Sequence, residues 1–172
     1  MTSITAPWET VQLLLGELEQ EAQTTRRVLQ RVPEDKLTWR PHPKSSSLGQ
    51  LALHIASIPS LGMRVLGPDV FEPQERTQPE AGTAAELLPA LEESLVLARQ
   101  FLSELTPERA QGVWRLVRGG REMMAAPRIA MVRTLMFNHW YHHRGQLVVY
   151  LRLLDLPLPP VYGPTADEKA FG

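Results

Sequence analysis

Within the stretch Asn138 to Gln146, NHWYHHRGQ, residues His139 and His143 stand four positions apart, which on a helix sets them one turn apart on one face. Val132, Leu135 and Met136 lead into His139, and Leu147, Tyr150, Leu151 and Leu154 continue beyond His143 at spacings of three and four. The spacing predicts two imidazoles on a core-facing stripe. A neutral imidazole has one donor and one acceptor to satisfy, and burying them unpaired costs on the order of a few kcal/mol. One metal ion would engage both rings at once.

A third histidine, His54, falls inside another apolar stripe, formed by Leu48, Leu51, Ile55, Ile58 and Leu61. Three imidazoles leave one or two positions of an ion open, as catalytic sites do, whereas structural zinc is closed by four protein ligands. The residues alone weigh equally for metal binding and for hydrogen-bonded core histidines. His142 is rotated about 100° from His143, which places it at the stripe edge or on the surface. His42, between Pro41 and Pro43, reads as a solvent-exposed loop histidine. The pair also differs from the zinc-protease pattern HExxH: Trp140 follows His139, and no acid lies between the histidines. A bound ion can act without that base by deprotonating a coordinating thiol. The chain has no cysteine, so such a thiol must come from outside.

Helical periodicity defines the elements that must position these groups. Val11, Leu14, Leu15, Leu18, Ala22 and Leu29 predict helix one from about Pro7 to Arg31. The proline-rich segment Val32 to Ser46 is a connector. Ser47 and Gln50 form a capping-box pattern that starts helix two, and Pro59 predicts a kink just past His54. Gly67 to Gly82 is a surface loop, after which Thr83 and Glu86 suggest a second capping box for helix three, ending near Leu105. Val113 to Arg118 alternates in polarity before Gly119 and Gly120, consistent with a short hairpin. Helix four is expected from Pro127 to about Leu154, followed by a proline-rich tail that straps across the helices or frays. The resulting expectation is one all-α domain over residues 1–172, a four-helix bundle with a possible hairpin between helices three and four.

Length suits a single domain that needs no staple, and the lack of cysteine excludes disulfides and a cysteine nucleophile. The net charge of −1, with no Lys/Arg block, argues against nucleic-acid binding. There is no basic segment followed by an apolar run at the start and no stretch of membrane-spanning length, so a soluble cytoplasmic protein is expected.

The segment HWYHHRGQL, followed by YLRLLDLPLPPVYGPTADE, resembles the C-terminal signature of the DinB superfamily, the damage-inducible and YfiT-like proteins. LTWRPHPKSSSLGQLALHIASIPS is similar to the family's segment from the first connector into helix two. The resemblance spans the chain from about Leu37 onward. It implies a four-helix bundle in an up-down-down-up arrangement, commonly a homodimer, holding a divalent ion such as nickel or zinc through His54, His139 and His143. That implication turns the balance toward metal binding. Some relatives are S-transferases that use bacillithiol, mycothiol or glutathione, or mycothiol-dependent maleylpyruvate isomerases; others are called metal-dependent hydrolases.

Together these readings point to a metal site that activates a small-molecule thiol for attack on an electrophile. The alternatives are a hydrolase with Glu17 or Glu21 as base, and a non-catalytic metal-binding or dimeric interaction module. Arg144, Gln146 and His142 are candidates for supporting the ligands. For Gln146 the plainer role is helix–helix hydrogen bonding, and for Arg144 a surface ion pair. Gly145 suits close approach of a neighbouring helix. Trp140 and Tyr141 suit packing, a pocket or a dimer interface, and Tyr162 could fold over the site or serve strap packing.

Overall fold

The computed structural model describes residues 7–75 and 77–169. Helix α1 spans Pro7–Leu29 and buries Val11, Leu14, Leu18, Ala22, Val28 and Leu29 along one face. The connector behind it hands its backbone to the next helix: the carbonyls of Trp39 and Leu37 accept from the N–H groups of Leu48 and Gly49 at 2.9 and 2.7 Å. A Cβ on Gly49 would stand 3.1 Å from the Leu37 oxygen, so glycine permits that approach. Helix α2, Leu48–Ser57, begins with the expected capping box. Ser47 Oγ accepts from Gln50 N–H at 3.1 Å, and Gln50 Oε1 accepts from Ser47 N–H at 3.0 Å. The bend expected at Pro59 is present as a 3-10 turn, Ile58–Ser60, leading into the short helix α3, Leu61–Arg64.

The second capping box is not formed. Thr83 makes no cap to the backbone: its hydroxyl faces the Glu86 carboxylate at 3.4 Å, that carboxylate accepts from Gly82 N–H rather than from Thr83 N–H, and a 3-10 turn precedes α4, Leu87–Ser103. Thr106 instead caps a short helix that the sequence reading passed over, α5, Pro107–Gln111.

The chain is mostly helical but not all-α. Strand β1, Val70–Phe71, lies parallel to β2, Val113–Arg118, which pairs antiparallel with β3, Arg121–Pro127, in the order β1-β2-β3. Gly119 and Gly120 turn the hairpin with φ of 58° and 73°, the positive values that a tight two-residue turn demands. The ribbon is anchored rather than isolated. Trp114 is fully buried and donates its indole N–H to the Val65 carbonyl at 3.0 Å. Arg128, also buried, binds the carbonyls of Leu66 and Pro68 and the Asp69 carboxylate, pinning the loop that supplies β1.

The last helical segment is continuous but not uniform. It comprises α6, Arg128–Met131, a π-helical stretch, Val132–Asn138, and α7, His139–Leu153. Helix α7 stops at Asp155, whose φ of 58° ends the helix. The tail then runs as an ordered strap: Thr165 Oγ1 donates to the Leu158 carbonyl, Arg152 pairs with Asp167, and Glu168 receives Arg27 from α1 and Arg31 from the turn just beyond it. Helices α1 and α2 each pack against α4 and α7, which brings the middle of α2 to the start of α7. Among the described residues no helix is long and apolar enough to cross a membrane.

Candidate metal centre

His54 projects from the middle of α2, and His139 and His143 from the first two turns of α7. The three rings meet: their centroids are separated by 5.1 Å for His54 and His139, 4.7 Å for His54 and His143, and 4.5 Å for His139 and His143. One ligand nitrogen from each lies within 4.8 Å of the other two. His54 Nε2 and His139 Nε2 are 3.3 Å apart. Two nitrogens bound tetrahedrally to one ion at about 2.0–2.1 Å stand about 3.3 Å from each other.

The opposite edges of two rings are spoken for. His139 Nδ1 faces the Leu135 carbonyl at 3.3 Å, and His143 Nδ1 faces Gln146 Oε1 at 2.7 Å. The Leu135 carbonyl and Gln146 Oε1 can only accept, so these two contacts favour the hydrogen on Nδ1 and a lone pair on Nε2. Outer partners of this kind fix the tautomer of metal-binding histidines. Lone pairs aimed at one another need a cation or a donor between them, so this donor set fits a divalent ion, and the triad can hold one. Burial also keeps the rings neutral, as ligands must be. His54 is pushed down to about 4 by desolvation and then by the neighbouring His143 and His139. His139 and His143 are likewise lowered, chiefly by burial.

The histidines do not lie on the fully buried track of α7. That track holds Leu147 and Leu151 as expected, but in its first two turns Trp140 and Arg144 take the places expected for His139 and His143, and the three histidines are half-buried. His54 and His143 stand instead in the wall of a cleft of about 390 Å³, with Ser45, Ser46, Leu51, Gln78, Gln146 and Tyr150, and His139 stands against both of their rings. Of the other lining residues, Gln78 comes from a loop with no functional signature in the sequence, and Ser45, Ser46 and Tyr150, although inside the segments that resemble the family, are not singled out by their residue types. His142 is exposed, with its ring 5.0 Å from that of His143. His42 is an exposed loop residue whose Nδ1 accepts from Lys44 N–H.

Arg144 is not a surface residue: its side chain is 1% exposed. It pairs with the Glu21 carboxylate, donates to Thr25 Oγ1 at 3.1 Å and to the Tyr162 hydroxyl at 2.7 Å, and lies between the Tyr141 and Tyr162 rings. Tyr162 donates to Glu21 in turn, so the strap is fastened to α1 and α7 through one buried cation. Glu17 accepts two hydrogen bonds from Arg133, at 2.6 and 2.7 Å, and one from Tyr141. Arg133 holds the Glu17 carboxyl below the usual carboxylate range, and burial pushes the Tyr141 phenol well above its usual value. Gly145 has open space where a Cβ would be, so no helix approaches it closely.

A mostly helical fold that brings together three histidines from its second and last major helices defines a class, and the chain belongs to the DinB family, whose sequence profile matches residues 6–170. It is 23% identical over 172 residues to uncharacterized protein YrdA of Bacillus subtilis strain 168, covering 96% of each chain. Among solved structures, a DinB-like protein from Bacillus cereus superimposes with a TM-score of 0.67 at 26% identity, over 86% of this chain and 95% of that one. The DinB-like protein YjoA of Bacillus subtilis shares the fold, with a TM-score of 0.66 at 19% identity over 87% and 97% of the two chains.

Proposed function

We propose that the protein is a metal-dependent S-transferase, joining a low-molecular-weight thiol to a small electrophile. The observation that carries this reading is the convergence of three histidines, two of them in the wall of a cleft whose lining, among the described residues, holds no carboxylate, arginine or lysine. A divalent ion there supplies Lewis-acid chemistry that favours the deprotonated form of a thiol at its open position. Nickel and zinc both suit imidazole nitrogen.

The chain's own residues bind and orient. Leu135 and Gln146 hold the Nδ1 hydrogens of His139 and His143, and Ser45, Ser46, Gln78 and Tyr150 offer neutral partners to the polar parts of a thiol. In the transfer the thiol proton leaves to solvent, sulfur bonds to the electrophilic carbon, and the leaving group departs with the bonding pair. Hydrolysis is less well supported, because Glu17 is committed to Arg133 and Tyr141, and Glu21 to Arg144 and Tyr162. On this reading helices α1, α2, α4 and α7 are the family's four-helix bundle in its up-down-down-up order, and the protein works as a cytoplasmic homodimer.

The test is titration of the cobalt-substituted protein with glutathione, cysteine and bacillithiol. A new sulfur-to-metal absorption band with at least one thiol is expected. An unchanged spectrum with every thiol would remove the transferase reading while leaving metal binding standing.

A further inference from the structure

The π-helical stretch Val132–Asn138 ends where His139 begins, and it contains neither proline nor glycine, the usual local causes of an irregular helix. π-turns are rare and concentrate at functional sites. Its effect can be followed atom by atom. In an α-helix the His139 N–H would donate to the carbonyl four residues back, that of Leu135. Here it donates to the carbonyls of Thr134 and Met136 instead. The Leu135 carbonyl, passed over by that N–H, receives the imidazole Nδ1 of the same residue at 3.3 Å.

The turn is held from both sides. Thr134 Oγ1 donates to the Ala130 carbonyl at 3.0 Å. On the inner side Met136 and Phe137 are fully buried, and Met136 packs so closely on α3 that a Cβ on Gly62 would stand 3.2 Å from its sulfur. Such packing can sustain a backbone conformation that local propensity does not favour.

Resting on the metal-site reading above, we propose that the π-turn is a positioning device for His139: it redirects one backbone N–H so that the Leu135 carbonyl fixes the imidazole tautomer and presents Nε2 to the ion. The two helix α7 ligands are thus oriented by different means. His143 relies on a side chain, Gln146, whereas His139 relies on a main-chain oxygen that no side-chain substitution removes. Leu135 is a positioning residue through its backbone alone.

Long-range proton–nitrogen NMR of the metal-free parent protein, with nitrogen-15 in the histidines, reads the tautomer directly. The expected result is a His139 ring protonated at Nδ1. A ring protonated at Nε2 would overturn the proposal without any variant being made. The second arm deletes Thr134, an exposed residue whose loss removes the five-residue acceptor and lets the His139 N–H return to the Leu135 carbonyl four residues back, and measures zinc affinity by competition with a chromophoric chelator alongside circular dichroism. The deletion variant is expected to stay helical, to lose the Nδ1–H preference at His139 but not at His143, and to bind zinc about 10–100-fold more weakly, the usual effect of losing an outer partner. A folded deletion variant with parental zinc affinity would overturn the proposal, and if the variant fails to fold, the parent's tautomer decides. If zinc binds the parent and is lost in His54→Ala while the deletion has no effect, the metal reading stands and the π-turn role falls. If the parent binds no zinc at all, the metal reading itself falls.

Discussion

His143 and Arg144 are consecutive residues of α7, and they face two differently built environments. On the Arg144 side every charge is answered from within the chain: Glu21, Thr25 and Tyr162 surround the guanidinium, and Arg133 and Tyr141 surround Glu17. On the His143 side the outer nitrogens of two rings are answered, while the inner ones converge with no partner but one another among the described residues. A buried ion pair matched within the chain serves the fold, even with Arg144 Nε left without a partner among the described residues, whereas aligned acceptors facing a cleft imply a cation from outside. Burial alone does not tell them apart, since the more deeply buried of the two is the structural one.

Substitutions should separate the two sides. The largest effect is expected for His143→Ala or His54→Ala, which should abolish stoichiometric metal uptake with little loss of helical content by circular dichroism. On the other side, Glu21→Ala leaves a buried guanidinium without its carboxylate and should cost about 3–5 kcal/mol in urea unfolding. Its metal content, once the protein is folded, should be unchanged. Gln146→Ala removes the acceptor on His143 Nδ1 and should weaken zinc binding about 10–100-fold, with unfolding of the metal-free protein little affected.

Acid should distinguish the sides by pH. His54 binds its proton more weakly in the folded than in the unfolded chain, holding to about 4 against 6.5. The metal-free protein should therefore keep its full stability above about pH 6.5. It should lose about 1–2 kcal/mol as pH falls toward 4, a figure reduced from the full shift because the ring is partly solvated. His54→Gln should flatten that part of the thermal-melting profile. The Glu17 contribution, whose carboxyl is lowered by Arg133, should persist until pH falls below the ordinary carboxylate range. The smallest effect is expected for Tyr162→Phe, about 1 kcal/mol, the loss of a hydroxyl that bridges Arg144 and Glu21.

The histidine side was the more legible of the two in the sequence. An i,i+4 pair and a third histidine on an apolar helix are local patterns, and the capping box at Ser47 and the break at Pro59 set the bounds of the helix that carries His54 to the other two. The Arg144 side depends on partners 119 to 123 residues away in α1, which periodicity does not reveal, so the sequence alone points to a surface ion pair. Trp140 and Arg144 displaced the histidines from the core track for the same reason: hydrophobicity counted the arginine as polar, while its buried ion pair made it interior. Strand β1 is only two residues long, too short for alternation to show. The π-turn left no signature because its acceptor is a main-chain carbonyl.

The most direct measurement is elemental analysis by mass spectrometry of the untagged protein beside His54→Ala and His143→Ala. Near-stoichiometric nickel or zinc in the parent, absent from both variants, is the expected result. A parent that carries no metal, even after incubation with divalent ions, would contradict the account and leave the three rings as a cluster of half-buried histidines.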